Sequence, residues 1–481
     1  MPTSMPYDRE RQRIIRDHQK KQEEDAGGKE KLPQEKIIVK DRAERAPVYQ
    51  FRLEDLAFNK ANGRIAAEVL EKEAELGREL ESSNPNDQHI IKEMLLTIRS
   101  DENAKIKEDL AQNGQLRPGI ITCDGVVING NRRKALLEKL YEETGDAKFK
   151  YLDVQVLPSD IAKAELWLIE AGIQMSAPQQ LDYSPINHLL KLREGINSGL
   201  KIEVMAARIY GVTKENIEAD LSRLELIDEY LCHFVKKPDR YYLVKQLNEH
   251  FIDLQEILNW VMHPRGNVRV NWSPDESDKN ELKLLGFHYI RIKFPHLRIR
   301  ELRNLFATKE SWEQVKQALN PDDQLAENEQ SHPDFKTQQE PVEENDQEDR
   351  EVEEIDETGV SSTVTEEKDL QEETQWRNKR LKVLKSFYQD AKEQEQIIKD
   401  SERPLSLAKR ALKNIEAIPN DSEKLAEPEL DNILQRIITC TNELRKIIQK
   451  PTSRKLRDRK RLEAKNEITK RKRGKTRKAR R

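Results

Sequence analysis

Cysteine, aromatic residues and long apolar runs are scarce in this 481-residue chain, and each scarcity excludes a class of protein. Cys123, Cys232 and Cys440 are far apart and form no Cys-x-x-Cys pair, which argues against a zinc knuckle and against a disulfide-stapled secreted domain. No apolar run approaches the ~18 residues of a membrane-spanning helix. We therefore expect neither zinc, haem nor membrane contact. The charged N-terminus predicts no signal peptide, so a reducing, intracellular compartment is expected.

Common catalytic signatures are missing as well. The sequence contains no Walker-type glycine loop, and its histidines lack the spacing of metal ligands. Glycine shows no collagen-like period. Function therefore has to be inferred from charge distribution and from local patterns of strand, turn and helix.

Charge, in contrast, is abundant and strongly segregated. Charged residues make up 36% of the chain, yet its net charge is only −4. Residues 321–375 contain 21 acidic and 3 basic side chains, whereas 451–481 contain 16 basic and 3 acidic ones. Opposed blocks of this kind are typical of disordered, interacting segments. We predict an acidic disordered linker that offers a surface to a protein partner, followed by a basic disordered tail.

Hydrophobic patterning divides the rest of the chain into folded segments. Residues 46–158 mix strand and helix patterns, which makes the predicted fold class α+β, and residues 159–320 are predicted to be helical. Residues 1–45 are almost entirely polar and predict a disordered arm with transient helix. Apolar residues at helical spacing return in 376–450 and predict a helical dimerisation unit. The expected strands are 48–53, 116–122, 126–128 and 151–156, with a further candidate at Phe287–Ile292, and the expected helices include 65–80, 90–110 and 133–141.

A strand, a glycine turn and two arginines precede the predicted helix near residue 133. The first turn of a helix leaves unpaired N–H groups at the positive end of its dipole, and Gly130 would let the backbone approach an anion closely. Arg132 and Arg133 add two permanent charges with bidentate donors. The pattern predicts a phosphate-binding loop, but a surface junction with two solvated arginines would have the same residues.

The context of this loop resembles the N-terminal domain of the ParB family, which has the ParB/sulfiredoxin fold. The likeness rests on Gly114-Gln115-x-x-Pro118, on the strand pair that follows, and on Gly130-Asn131-Arg132-Arg133-x-Ala135. The family typically has Gly-Glu-Arg-Arg-x-x-Ala at the last of these motifs. The resemblance extends roughly from Val48 to Leu231.

The resemblance implies that the domain binds a nucleoside triphosphate, CTP in the family, together with magnesium. Glu170 matches the family's nucleotide- and magnesium-binding segment, whereas Ala171 and Met175 replace the family's Asn and Arg. Glu170 is thus a candidate metal ligand and a weak candidate catalytic base, and we expect binding without fast hydrolysis. The implied nucleotide-binding residues are Gly130, Asn131, Arg132, Arg133, Arg64 and Gln115.

Residues 202–226 have the pattern of a helix-turn-helix. Ala207, Gly211 and Ile217 fall at the first-helix alanine, the turn glycine and the buried second-helix position. The acidic residues of the second helix would repel phosphates, and a packed helical hairpin is the alternative interpretation. The candidate DNA-contacting residues are Thr213, Lys214, Asn216, Ser222 and Arg223.

The basic tail is suited to neutralising phosphates but cannot recognise a base sequence, because it has no aromatic residue for stacking. A nuclear-import signal or an intramolecular clasp onto the acidic linker would look the same. The tail residues predicted to contact DNA are Lys470, Arg471, Lys472, Arg473, Lys475 and Arg477.

Together these patterns predict a ParB-like, nucleotide-binding DNA-binding homodimer. We expect it to be cytoplasmic and nucleoid-associated, with a role in DNA partition, plasmid maintenance or defence. Two other classes stay open. One is an enzyme on the same fold, either a nuclease or a small-molecule kinase, and the other is a non-catalytic protein-interaction scaffold.

Overall fold

A computed structural model describes residues 8–39, 42–175, 183–262, 270–320, 364–401, 404–418 and 428–449. The chain divides into two units, Met1–Gln396 and Ile397–Arg481. The first is a mixed α+β unit that is mostly helical and contains a small curled sheet, which confirms the predicted fold class. Within the described ranges, no helix is both long enough and apolar enough to cross a bilayer.

The N-terminal segment is ordered from residue 8, so the prediction of a disordered arm over 1–45 is wrong for its described part. Helix α1, Arg9–Ala26, is capped by the Asp8 side chain and ends at Gly27, whose φ of 73° suits only glycine well. Strands β1, Gln34–Val39, and β2, Arg42–Pro47, form an antiparallel hairpin. The polar composition does not reveal this ordered structure, because a single buried side chain anchors α1 in the core. That side chain is Ile15, which is 1% exposed.

The central sheet has the strand order β3-β7-β5-β6-β4. Strand β3 pairs antiparallel with β7, β7 parallel with β5, β5 antiparallel with β6, and β6 parallel with β4. The four strands predicted in this segment are confirmed, and the short β4 was missed. The strands are β3 Tyr49–Arg52, β4 Ala57–Phe58, β5 Gly119–Ile121, β6 Val126–Asn129 and β7 Tyr151–Val156.

The helices between β4 and β7, together with α1, pack around this sheet. The predicted helix over 90–110 is two helices, because the backbone turns at Arg99, which has a φ of 53°. The inward-facing side chains of the sheet, including Phe51, Val127 and Leu152, are fully buried. The helices are α2 Ala66–Leu76, α3 Pro85–Thr97, α4 Ser100–Asn113 and α5 Asn131–Thr144.

The following segment is helical, as predicted. The strand candidate Phe287–Ile292 is wrong, since these residues lie in and just after α11, where Phe287, Tyr289 and Ile290 are buried. A short run of aromatic and β-branched residues fits a buried helix as well as a strand. The helices are α6 Lys163–Gln174, α7 Pro185–Asn197, α8 Ile202–Arg208, α9 Lys214–Glu229, α10 Asn248–Met262, α11 Glu276–Arg291, α12 His296–Ala307 and α13 Lys309–Val315.

Helix α14, Val364–Ser401, changes two predictions. Its first residues overlap the predicted linker over 321–375, of which 321–363 lies outside the described residues. Its apolar stripe belongs to the predicted dimerisation unit, but Leu384 and Tyr388 are buried in the core of the helical segment. The Tyr289 hydroxyl donates to the Leu384 carbonyl at 3.1 Å. This part of the predicted dimerisation unit therefore packs against its own chain.

The second unit contains helices α15, Pro404–Glu416, and α16, Pro428–Gln449. Both are amphipathic, as their apolar spacing predicted. The basic tail, with all its predicted DNA contacts, lies outside the described residues.

Candidate ligand cavity

A cavity of about 1000 Å³ lies between the β5–β6 hairpin, the turn after β4, and helices α2, α6 and α7. We call it the central cavity. Its volume is in the range of small-molecule sites. Its walls combine apolar side chains, such as Val126, Ile128 and Trp167, with charged groups of both signs. The charged lining residues are Asp8, Arg11, Lys60, Glu73, Asp124, Lys163, Glu170, Arg193 and Glu194.

A buried ion-pair network stands behind the wall formed by α6 and α7. The Lys191 ammonium donates to Glu170 Oε2 at 2.6 Å and to Glu194 Oε2 at 2.7 Å, and Lys191 and Glu170 are only 1% and 3% exposed. Burial opposes the charge of Lys191, but the two carboxylates outweigh it and raise its pKa. Burial also raises the pKa of Glu194, against the pull of Lys191 and with a further rise from Glu170. The network keeps a charged lysine inside the protein.

The second carboxylate oxygen of Glu170 binds the turn after β4. Gly63 N–H donates to Glu170 Oε1 at 3.1 Å, and the Tyr183 hydroxyl lies 3.4 Å from the same oxygen. Tyr183 also donates to Gln174 Oε1 at 2.6 Å, and its pKa is raised by burial and by Glu170. A Cβ at Gly63 would come within 2.7 Å of the Tyr183 ring, so only glycine allows this contact.

These contacts do not suit magnesium at Glu170, the predicted metal ligand. One oxygen already accepts from the Lys191 ammonium group, and the other accepts from the Gly63 N–H and has the Tyr183 hydroxyl beside it, so neither oxygen is open to a metal ion. Across the described ranges, no three His, Cys, Asp or Glu side chains are close enough together to hold a metal ion.

The predicted phosphate loop has the expected backbone but a different set of contacts. Gly130 has a φ of 111°, and α5 begins at Asn131. The Asn131 side chain is fully buried; its Nδ2 donates to the Val127 carbonyl at 2.6 Å and its Oδ1 accepts from Asn59 N–H at 2.9 Å. Asn131 thus joins β6, α5 and the turn after β4, and it has a structural role here.

The two arginines of the loop do not line the central cavity. Arg132 is 8% exposed, with Nη1 at 3.4 Å from Glu102 Oε2. Arg133 donates to the Arg117 carbonyl, and burial lowers its pKa against the attraction of Asp153.

The other two residues implied by the resemblance also have backbone partners. Gln115 bridges the Tyr151 carbonyl, at 3.1 Å, and the Asp153 N–H, at 3.2 Å. The Arg64 carbonyl accepts from Asn187 Nδ2 at 2.7 Å. Among the predicted residues, Glu170 is the one that the structure places in the cavity wall.

Sequence reasoning missed the residues that α1 and α7 contribute. The first turn of α1 reaches the cavity rim: Asp8 N–H donates to Asp124 Oδ2 at 3.1 Å, and Arg11 lies 3.4 Å from the carbonyls of Ser82 and Gly125. Burial lowers the pKa of Arg11, against Asp124 and Asp8. On α7, a lysine between two leucines, Leu190-Lys191-Leu192, was the available signal for a buried charge.

Helices α8 and α9 form the predicted pair, joined by a turn in which Gly211 has a φ of 73°. Ile217 is buried as expected, whereas Ala207 is exposed and does not set the helix crossing. Thr213 and Asn216 form a capping box at the start of α9.

The charged candidates on α9 have acidic neighbours. Lys214 lies 2.7 Å from Glu203, and Arg223 lies 2.5 Å from Asp220. Ser222 is exposed. Local ion pairs therefore neutralise both basic residues of the candidate recognition helix.

The cavity wall is bonded to this helix pair. Arg193 lines the cavity and lies 2.5 Å from Asp228 near the end of α9, and it donates to the Tyr241 hydroxyl at 3.0 Å. Arg208 of α8 donates through Nε to the Leu168 carbonyl of α6 at 3.0 Å. Side-chain contacts thus connect α6 and α7 to α8 and α9.

No family model matches this chain, and none of the curated proteins is significantly similar to it in sequence.

Proposed function

We propose that this chain is a ParB-like DNA-binding protein whose central cavity binds a nucleotide. The observation that supports this most is the position of the cavity. Helices α6 and α7 form part of the cavity wall, and side chains also connect them to the helix pair α8–α9. A ligand in the cavity would touch Arg193, and Arg193 is bonded to α9. In this proposal the protein is cytoplasmic and nucleoid-associated, and it acts in DNA partition, plasmid maintenance or defence.

The charged side chains of the cavity support nucleotide binding, because a nucleotide offers partners for both positive and negative groups. The cations Arg11, Lys60 and Lys163 offer partners for phosphates. Asp124 and Glu73 offer acceptors for an exocyclic amino group, such as the N4 amino group of cytosine. The proposed phosphate contacts therefore lie at the cavity rim, and not at Arg132 and Arg133 as the resemblance implies. Since Glu170 does not suit magnesium, we propose binding that does not require the metal.

DNA affinity is proposed to come mainly from the basic tail. The 16 basic side chains of residues 451–481 would neutralise phosphates without recognising bases. Helix α9 has acidic side chains such as Glu215 and Glu218 on its exposed face, which makes it a weak reader of the major groove. Ligand binding would then change the contacts that the folded part makes with DNA already bound by the tail.

Calorimetric titration of CTP, UTP, ATP and GTP, with and without magnesium and DNA, tests the nucleotide proposal. We expect one triphosphate to bind more tightly than its monophosphate. Lys163→Glu should weaken binding about tenfold or more, which is about 1.4 kcal/mol. Lys139→Glu is the matched control, since Lys139 is also exposed but lies on α5 and does not line the cavity. Absence of binding below about millimolar concentration would refute the proposal.

A small-molecule kinase on the same fold is the second candidate. It is favoured by Glu194, a cavity-lining carboxylate whose pKa is raised and which could accept or return a proton. Transfer of the γ-phosphoryl group of ATP to a small hydroxyl compound, lost in Glu194→Gln, would establish it. A protein that neither binds nor turns over nucleotides would fit the scaffold alternative.

A further inference from the structure

A second, smaller cavity lies between strands β1 and β5 and helices α6 and α8, and we call it the hairpin cavity. Its volume is about 400 Å³, within the range of small-molecule sites. A water molecule occupies about 30 Å³ of liquid, so a ligand of about ten non-hydrogen atoms would fit in the hairpin cavity. Among the described residues, none lines both this cavity and the central cavity.

Helix α6 borders both cavities with different faces. Its side chains Trp167 and Glu170 line the central cavity, whereas Ile169 and Ile173 line the hairpin cavity. At 3.6 residues per turn, these two pairs point in different directions around the helix axis. The hairpin cavity is therefore a separate site, and its ligand need not be a nucleotide.

Isoleucine forms most of the wall of the hairpin cavity. Ile37, Ile120 and Ile169 are buried members of one apolar cluster, against which Ile173 packs. Ile38 also lines the cavity but is 46% exposed. An aliphatic group bound here would remove apolar surface of the wall from water, which favours binding.

The charged residues of this wall are both basic. Lys36 and Arg208 line the hairpin cavity, and no acidic side chain of the described residues does so. Arg208 Nε donates to the Leu168 carbonyl at 3.0 Å, which fixes the guanidinium at the wall. Gly172 makes room for it, because a Cβ there would come within 2.6 Å of Arg208 Nε. Since arginine is always charged in proteins, the cavity has a permanent positive charge.

We propose that the hairpin cavity binds an aliphatic carboxylate of about six to eight carbons. Its chain would pack on the isoleucine side chains, and its carboxylate would lie toward Lys36 and Arg208. A cation of the same size would be repelled, and a neutral compound would gain only the apolar contacts. The proposal does not depend on nucleotide binding, because the two cavities have different walls.

Calorimetric titration of the full-length protein with octanoate tests the ligand class. We expect a dissociation constant below about 1 mM. Butanoate lacks four methylene groups and should bind more than about tenfold more weakly, since each buried methylene is worth about fourfold in affinity. Octan-1-ol keeps the chain but not the charge, and should bind about tenfold more weakly. Absence of octanoate binding, or equal binding of octan-1-ol, would overturn the proposal.

Two substitutions at Ile38 test the role of charge at a position whose side chain is already half exposed. Ile38→Asp and Ile38→Lys both remove the apolar side chain, but they add opposite charges at the cavity wall. We expect Ile38→Asp to bind octanoate at least about tenfold more weakly than Ile38→Lys. Equal affinities would contradict anion recognition, and circular dichroism checks that both variants keep the wild-type fold.

Lys36→Gln tests the contribution of one cation without disturbing the core, because Lys36 is exposed. It should weaken octanoate binding severalfold. Lys29→Gln is the matched control, since Lys29 is also exposed and does not line the cavity, and it should bind like wild type. Equal effects of the two substitutions would show that overall charge, and not this site, controls the affinity.

Carbon-13 labelling of isoleucine methyl groups locates the bound ligand. Octanoate should shift the NMR signals of Ile169 and Ile173, assigned by Ile→Val substitution, and leave that of Ile257 on α10 unchanged. Ile128 lines the central cavity. A shift of Ile128 without a shift of Ile173 would place octanoate in the central cavity and overturn the proposal.

Discussion

Lys191 Nζ lies 2.6 Å from Glu170 Oε2, and both side chains are almost completely buried although they belong to different helices. The pair connects α6 to α7 next to the central cavity. A buried ion pair is tolerated when hydrogen bonds satisfy its remaining polar atoms, and Glu194 and Gly63 provide those bonds.

Removing one member of this pair should destabilise the protein strongly. Lys191→Met would leave Glu170 buried without its cation, a change that costs about 3–5 kcal/mol in comparable pairs. The double variant Lys191→Met/Glu170→Gln should recover part of the loss, because the isolated charge is then gone. Urea unfolding measures the free energy of unfolding of both variants. Lys163→Met serves as the exposed control, with an expected change within about 0.5 kcal/mol. Equal stability of Lys191→Met and wild type would contradict the structural role.

Glycine at position 63 should be required for the same network. A Cβ there would lie 2.7 Å from the Tyr183 hydroxyl, so Gly63→Ala has to displace the tyrosine. We expect a loss of about 1–3 kcal/mol in unfolding free energy. Gly77→Ala is a useful comparison, because space around Gly77 is open and its cost would come from its φ of 66° alone. If Tyr183→Phe/Gly63→Ala is no more stable than Gly63→Ala, contact with the hydroxyl is not the cause.

Glu71 should make stability fall as the pH rises. Burial, the largest influence, raises the pKa of Glu71 to about 8, although the Tyr242 N–H donates to it at 2.7 Å. The folded protein therefore holds this proton more tightly than the unfolded chain. The contribution of Glu71 to the free energy of unfolding is greatest below about pH 4.5. It declines up to about pH 8, by at most about 1.4 kcal/mol per pH unit.

Glu71→Gln isolates that contribution. The variant should lose less stability than wild type between pH 6 and pH 9 in chemical denaturation, because glutamine has no proton to release. Parallel pH profiles for the two proteins would show that Glu71 ionises normally.

Deleting residues 454–481 should weaken DNA binding about equally for all sequences. If half of the 16 basic residues of the tail contact phosphate, about eight contacts give a slope near −7 in a log–log plot of affinity against salt. The deletion should remove most of that slope in fluorescence anisotropy titrations. An unchanged slope would favour the clasp onto the acidic linker or the import signal.

Patterns that depend on neighbouring residues were predictable from the sequence. The glycine before α5, the strands of the sheet and the cap at Thr213 all follow from local backbone preferences. What failed depends on distant partners. Nothing near Ile15 indicates that it is buried under the sheet, and the stripe containing Leu384 fits a second chain as well as its own.

The site was predictable only in part for the same reason. Glu170 could be singled out by resemblance, but its partner Lys191 is 21 residues further along the chain and has no motif of its own. Arg132 and Arg133 show the reverse case. Their sequence context suggests an anion site, whereas folding places Glu102 and the Arg117 carbonyl within their reach.

The buried amide of Asn131 restricts which residue this position accepts. It must donate to the Val127 carbonyl and accept from Asn59 N–H at the same time. An ionised glutamate, which the ParB motif typically has here, can only accept, and an aspartate fails in the same way. Homologues that keep this closure between β6 and the turn after β4 should therefore carry Gly-Asn rather than Gly-Glu. The Gly-Asn dipeptide should therefore distinguish homologues of this chain with a closed loop from those whose loop is open to ligands.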